Sequence, residues 1–493
     1  MKNKLLSALA ILLLLSSVSC GGTSAPAEET SPSGQTKSTE APETEEPSAL
    51  DLLPADLDFG GYAFHIVYAA PLDLTYETYI SMEEENGDIL WDNSYYRNRA
   101  VEERYNVDLQ FVPLGAEQGG YTIVPDVSKS VLAGDDAYQY IQFNSAWDNT
   151  VSLIAENALL DLNTLPGLDP YGPGFYAEVN QNFTISDRLY FAFSNYNSSG
   201  ALPLYMVFNK NMIRDAGLDM PYDLILSGGW TMDVLEEYIK GVSADLNGDG
   251  KITGEDRHGL ASGDLISNYI VFGADVRVVK RDDRGAYLPD LQNNAFISAA
   301  QRFLDFKLNN PDVFIGKERD VGGGTGAAHM FLLGNSMFAH TGSGLSNTNM
   351  RAIDTFDFGV APFPKFDEAQ NGYGNYLALN QFGIPQTVSE PEIAAAVAQG
   401  LAVTSQVMYS PVFLDVYLES KLLRDEESVK VIDMMRSDPL VDVSRYFDFA
   451  DGAITPVNLL SKIKDAGSVV SQCEKTESAA VKKAGKFFDV FFE

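Results

Sequence analysis

Residues 245–256 read DLNGDGKITGED. Asp245, Asn247 and Asp249 put side-chain oxygens at the first, third and fifth positions of a twelve-residue loop, and Gly250 at the sixth allows a sharp turn. The Lys251 carbonyl falls at the seventh position, Thr253 at the ninth, where a water commonly intervenes, and Asp256 at the twelfth. This is the spacing of an oxygen cage for Ca2+. Asp256 stands where a bidentate Glu is usual, and Glu255 is the alternative in a relaxed register. The competing reading is an acidic, glycine-rich surface turn. One loop without a second argues against a calcium sensor, so the expectation is a structural Ca2+ brace.

A second set of residues suits recognition of a small solute. Ring faces of Trp and Tyr stack on the apolar faces of sugars, and planar polar side chains bond hydroxyls. Trp147 lies in FNSAWDN, just after a predicted strand and flanked by Asn144 and Asp148. Trp91 stands in a loop ahead of a predicted helix. Tyr76 and Tyr79 follow the first strand, and Tyr196 follows YFAFS between Asn195 and Asn197. Tyr205 lies in LPLYMVFNK, and His340, Thr341 and Ser343 follow SMFA. Each has a plain structural alternative: helix-cap packing for Trp147, a neutral hydrogen-bonded histidine for His340. Trp230 opens a helix and reads as a core anchor.

Signatures of catalysis are missing from the sequence. The four histidines show no HExxH spacing, there is no GxSxG, and VGGGTG at 321–326 lacks the Lys-Ser/Thr ending of a phosphate loop. Carboxylates are abundant, so counting does not remove an Asp/Glu glycosidase pair, but nothing singles one out.

The elements that must position these residues alternate. YAFHIVY (62–68), VDLQFV (107–112) and YQYIQF (138–143) read as strands separated by helices over 92–106, with Tyr96, Ala100 and Val101 on one face, and 123–133. A helix beginning near Trp147 follows. This βαβαβ order predicts a parallel sheet with functional loops at the strands' C-terminal ends. WTMDVLEEYIKGV is a helix with Thr231 as N-cap, NKNMIRDAGL a short helix closed by Gly217, and VRVVKRDDRGAYL a hairpin turning at 283–285. The last hundred residues are mainly helical.

With 493 residues the chain exceeds one ordinary core. Its net charge of -35 argues against nucleic acid, whose phosphates it would repel. At the N-terminus, Lys2 and Lys4 precede an apolar run, Leu5 to Leu15, too short to span a bilayer; this reads as an export signal over 1–19. Ser17-Val18-Ser19-Cys20 is similar to a bacterial lipoprotein box, with Cys20 the lipidated residue; the alternative is an ordinary secretory signal with a chance cysteine. Residues 20–57 form an acidic, Ser/Thr/Pro/Glu-rich tether, with six glutamates against one lysine over 21–50. Cys473, the one other cysteine, is expected to be a buried small hydrophobe.

Four runs then carry a resemblance: RNRAVEERYNVDLQF, LPLYMVFNKNMIRDAGL, GGWTMDVLEEYIKGVSADLNGDGKITGEDRHGL, and MFLLGNSMFAHTGSG followed by FDFGVAPFPKFDEAQ. In this order the chain resembles the extracellular solute-binding lipoproteins of bacterial ABC importers, in the branch similar to maltodextrin-binding proteins. The resemblance implies a type II, two-lobed α/β fold with crossing hinge segments and a largely helical C-terminal portion. It implies one lobe from 58–202 plus 365–400 and a second from 203–364 plus 401–493. It puts Tyr205 on a crossing strand and His340 where a strand delivers residues to the ligand. The implied protein is a monomer anchored by lipid on the outer face of the cell membrane. It captures a carbohydrate, an oligosaccharide above all, and delivers it to an ABC permease without covalent chemistry. Peptides or other small polar solutes are the alternative ligands, and a surface-anchored glycoside hydrolase is the rival of another class.

Overall fold

The computed structural model describes residues 49–69, 80–115, 122–144, 148–198, 202–316, 327–340, 350 and 352–492. The strands, in chain order, are β1 (Tyr62–Ala69), β2 (Val107–Leu114), β3 (Tyr140–Gln142), β4 (Ala192–Phe193), β5 (Met206–Asn209), β6 (His258–Gly263) and β7 (Val279–Arg281). There follow β8 (Tyr287–Pro289), β9 (Val313–Gly316), β10 (Ser336–His340), β11 (Phe358–Ala361), β12 (Asn375–Tyr376), β13 (Gln381–Gly383) and β14 (Pro439–Leu440).

Ten of these strands form two sheets, ordered β2-β1-β3-β13-β4 and β11-β5-β10-β6-β9. The predicted βαβαβ unit is present: β1 pairs in parallel with both β2 and β3. In the second sheet β6 pairs in parallel with β9 and β10, while β5 runs antiparallel between β10 and β11. Strands β3, β5, β6, β10 and β11 are buried at every residue, as sheets covered on both faces require. The architecture is a two-lobed α/β fold.

Local signals explain most helices. Thr231 caps helix Met232–Ile239 by accepting from the Val234 N–H, and Gly217 adopts φ 71° past the end of helix Lys210–Asp215. Helix Ile89–Tyr105 begins at Asp88, whose carboxylate accepts from Leu90 and Trp91 N–H groups. Its inner face is Leu90, Ser94, Arg97, Asn98, Val101, Glu102 and Tyr105. Tyr96, expected inward with Ala100 and Val101, is instead 43% exposed. The stripe runs Leu90–Arg97–Val101–Tyr105, and Tyr96 stands one residue, about 100°, away from it.

Crossing segments join the sheets and bond to one another. The Leu204 N–H donates to the Tyr376 carbonyl at 2.8 Å, β12 pairs with β14, and the Leu377 N–H donates to the Leu440 carbonyl at 2.8 Å. The Tyr446 hydroxyl donates to the Leu379 carbonyl and accepts from its N–H, both at 2.8 Å.

The C-terminal portion is helical but does not belong to one side. Helix Pro391–Thr404 and the π-helical turns Ser405–Tyr409 and Val412–Leu422 pack on helix Ile89–Tyr105, beside the first sheet. Leu90, Tyr409 and Phe413 form an apolar cluster there, and the Arg97 guanidinium lies 5.6 Å from the Tyr409 ring centre. The division drawn from sequence counts these residues, from 401 on, with the second lobe. Helix Glu426–Ser437 does pack on β11, and helix Val469–Phe488 packs on β8 and on helix Asn294–Asn309.

Candidate ligand-binding site

In the second sheet β6, β9, β10 and β11 all end at one edge, where β5 begins: Met206 pairs with both His340 and Ala361. In the first sheet β1, β2, β3 and β4 end where β13 begins, with Gln381 paired to Phe193. The crossing segments run from one of these edges to the other. Open α/β sheets bind ligands outside such strand ends.

At the second edge a compact cluster forms. His340, only 5% exposed, hydrogen-bonds through Nδ1 to the Ser262 hydroxyl at the end of β6. Its ring centre lies 5.4 Å from that of Tyr269 and 6.5 Å from that of Phe363. Tyr269 in turn lies 5.3 Å from Phe363 and 5.4 Å from Tyr376, and the Arg445 guanidinium donates to the Tyr376 hydroxyl. Tyr205 is buried in the neighbouring crossing segment. His340 and Tyr205 were among the sequence candidates; Ser262, near the end of β6, and Tyr269, on helix Ile266–Gly273, were not, because their partners come from distant segments.

The first edge is arranged differently from expectation. Asp148 is buried and its carboxylate is committed to the fold: Oδ1 accepts from the Thr122 hydroxyl (2.7 Å) and Ile123 N–H (2.9 Å), Oδ2 from the Asn144 N–H (2.7 Å). Burial pushes its pKa up, and these donors oppose the shift. Asp148 therefore bonds back to the residues just after β3, and the Asn144 carbonyl accepts the Asp148 N–H in return. Tyr196 is 2% exposed, edge-on to Tyr140 at 5.7 Å, with the Arg97 guanidinium 4.6 Å from its ring centre. Next to it Asn197 accepts from the Tyr140 hydroxyl (2.8 Å) and Ser194 hydroxyl (2.6 Å) and donates to the Gln142 side chain. Tyr196 thus sits in a buried polar network beneath the edge, not on an open stacking surface. Trp91 lies within helix Ile89–Tyr105, not in a loop before it, and its indole N–H donates to the Glu84 carbonyl at 2.7 Å. Cys20, Tyr76, Tyr79, Trp147, Thr341 and Ser343 lie outside the described residues.

The DLNGDGKITGED loop sits at the other end of β6, before His258, roughly 17 Å along the strand from Ser262–Gly263. Gly248 and Gly250 take φ 76° and 80°, giving the turn the loop needs. Asp245 accepts from the Gly248 and Gly250 N–H groups (2.6 and 2.7 Å), Asn247 from Asp249, and Asp249 from Lys251 (both 2.9 Å). Asp256 is fully buried, with Oδ1 accepting from the Leu246 N–H and Oδ2 from the Thr253 N–H and hydroxyl. Those backbone donors hold its carboxyl below the usual range. Glu255 reaches the Asn247 amide at 3.5 Å. Among the described residues no three His, Cys, Asp or Glu side chains gather into a metal-holding group.

No family profile matches the chain, and no curated protein matches it in sequence. Solved structures do match in fold. The galacto-N-biose/lacto-N-biose I-binding protein of an ABC transporter from Bifidobacterium longum, in complex with lacto-N-biose, aligns at TM-score 0.55 and 11% identity, over 88% of this chain and 98% of that one. An extracellular solute-binding protein from Staphylococcus aureus, in complex with maltose, aligns at 0.54 and 11%, over 85% and 98%. The maltose/maltodextrin-binding domain from Bdellovibrio bacteriovorus, bound to maltotriose, aligns at 0.52 and 14%, over 85% and 100%. The chain has the fold of the two-lobed solute-binding proteins. These neighbours are binding proteins rather than enzymes.

Proposed function

We propose that this protein is a lipid-anchored receptor on the outer face of the cell membrane, capturing an oligosaccharide between its lobes and passing it to an ABC permease. The observation that carries the reading is the two-lobed fold itself, in which crossing segments join the strand ends of two sheets, with the buried His340–Ser262–Tyr269–Phe363 cluster packed at the second of these edges. Fold neighbours bound to lacto-N-biose, maltose and maltotriose support a carbohydrate ligand. The basic n-region, short apolar run and Cys20 support export and lipidation. Among the described residues no helix is long and apolar enough to cross a membrane. The first lobe comprises 58–202 and 365–400, joined by the π-helical turns to 422; the second comprises 203–364 and most of the remainder. The receptor works as a monomer, by binding and lobe closure and without covalent chemistry.

We also propose a bound Ca2+ in the 245–256 loop. The Asp245, Asn247 and Asp249 side chains and the Lys251 carbonyl would hold it, with Glu255, already beside Asn247, as the further carboxylate in place of the capped Asp256. The ion would supply a brace between helix Met232–Ile239 and β6.

A glycan panel tests the receptor reading. Saturable thermal stabilisation by an oligosaccharide without turnover is the expected result. Release of shorter sugars would instead mark a hydrolase, and stabilisation by peptides alone would reassign the ligand.

A further inference from the structure

The β7–β8 hairpin leaves the second-sheet side of the molecule and ends against the first. It follows helix Ile266–Gly273, which carries Tyr269 of the ligand edge. Arg281, the last residue of β7, sends Nη2 to the Asn182 carbonyl at 2.7 Å and towards that of Gln181 at 3.4 Å. The Tyr287 hydroxyl, from β8, donates to the same Asn182 carbonyl at 2.9 Å. Arg281 is itself held: its Nε donates to the Tyr287 oxygen at 3.0 Å, its Nη1 to the Gly285 carbonyl at 3.3 Å, and its guanidinium lies 4.8 Å from the Tyr287 ring centre.

Gln181 and Asn182 are in the last turn of helix Ala177–Phe183. Carbonyls there lack the N–H of a continuing turn: that of Gln181 accepts the Thr184 N–H at 3.3 Å, and that of Asn182 is taken by the hairpin's donors, a guanidinium being a favoured cap at a helix C-terminus. That helix belongs to the first lobe. The Asn180 amide donates to the Phe193 carbonyl of β4 at 3.2 Å and its oxygen accepts the Phe193 N–H at 2.8 Å. A second contact of the hairpin runs from Arg284 to Asp489 at 3.2 Å, with the guanidinium 4.6 Å from the Phe492 ring centre. The same C-terminal segment touches the first lobe, where Arg188 donates to the Val490 carbonyl at 3.0 Å and Tyr190 meets Phe491 edge-on at 5.2 Å.

We propose that the β7–β8 hairpin is an inter-lobe latch, in which Arg281 and Tyr287 clamp the C-terminal end of helix Ala177–Phe183 and so bias the lobes toward one relative orientation. Two donors from one hairpin converging on one carbonyl tolerate little rotation, because such bonds weaken steeply with distance and angle. Contacts present in one lobe arrangement and lost in another shift the equilibrium between them, and the affinity of any ligand that prefers either one. The effect on affinity rests on the receptor reading; the effect on lobe orientation does not.

The experiment uses the whole chain in a Cys20→Ser background, with spin labels at Leu132→Cys and Leu333→Cys, exposed positions on the first and second lobes. Cys473 is buried and stays unlabelled. Pulsed dipolar distances are recorded without ligand for Arg281→Ala, Tyr287→Phe and the parent. The expected result is a shifted or broadened distance distribution in both variants, larger for Arg281→Ala, with unchanged circular dichroism. For the sugar that stabilises the parent, Arg281→Ala changes affinity about tenfold, equivalent to ~1.4 kcal/mol. Distributions identical to the parent's in both variants overturn the latch. Should Arg281→Ala fail to fold, Tyr287→Phe decides alone, since it removes one hydroxyl. If no sugar binds while the distances shift, the latch stands and the receptor reading falls.

Discussion

Cys473 shows how one side chain's surroundings set its chemistry. It lies fully buried on the inner face of helix Val469–Phe488, unpaired with any sulfur, as the lone cysteine of the folded part suggests. Burial pushes its thiol up to about 11, with Glu477 adding to the shift. In the unfolded chain the thiol ionises near its ordinary value, about 8.5. The folded state therefore holds its proton where the unfolded state releases it, so the contribution is intact below about 8.5 and is lost as pH rises toward 11. Melting curves of the native protein and Cys473→Ala between pH 8 and 11 should show the steeper alkaline loss in the native protein. Parallel curves would mean that this thiol does not titrate on unfolding. At the same scale, Asp148 and Tyr196 show why site residues are hard to choose by type: both have ligand-binding chemistry, and both spend it on the fold.

Single elements explain where an ion in the 245–256 loop would act. The loop links helix Met232–Ile239 to the start of β6, and Ser262 stands at the end of that strand. His258, the first residue of β6, sets its ring nitrogen Nε2 2.8 Å from the Thr253 carbonyl, tying the loop to the sheet. An ion bound as proposed would brace the start of β6, at the opposite end of that strand from Ser262. Chelator should lower the melting temperature by about 1 °C for each kcal/mol of binding lost, given the unfolding entropy of a body this size. Asp249→Ala should abolish that calcium dependence and leave sugar selectivity unchanged. Loss of recognition by a folded Asp249→Ala protein would place the loop in the site.

For the molecule as a whole, the crossing segments decide whether two sheets behave as one folded body. Gly374 lies in the segment returning to the first sheet, and its N–H donates to the Gly273 carbonyl at 3.2 Å. A Cβ at this position would stand 1.7 Å from the Phe272 carbonyl oxygen, a backbone atom that cannot swing aside. Gly374→Ala should therefore cost about 1–3 kcal/mol, toward the upper end because backbone must move. Denaturant unfolding measures this directly. A midpoint unchanged from the native protein would show that the crossing is more pliable than its packing implies.

Features governed by local interactions were legible before any fold was known. Period-two and period-3.6 patterns marked β1, β2 and the long helices; Thr231 and Gly217 marked helix ends; and Trp230 read as a core anchor, which it is, fully buried with its indole N–H on the Pro362 carbonyl at 3.0 Å. The βαβαβ alternation carried the parallel sheet. The rest depends on contacts between distant segments. Strands of two or three residues, such as β12, β13 and β14, have too little length for a period to show, and they exist because distant partners supply their hydrogen bonds. The Arg97 position, the Ser262–His340 pair and the Arg281 clamp each join residues far apart in sequence. A pattern within one segment carries no information about which carbonyl another segment will present, so the crossing segments, the His340 cluster and the Arg281 clamp became visible only once the chain had closed upon itself.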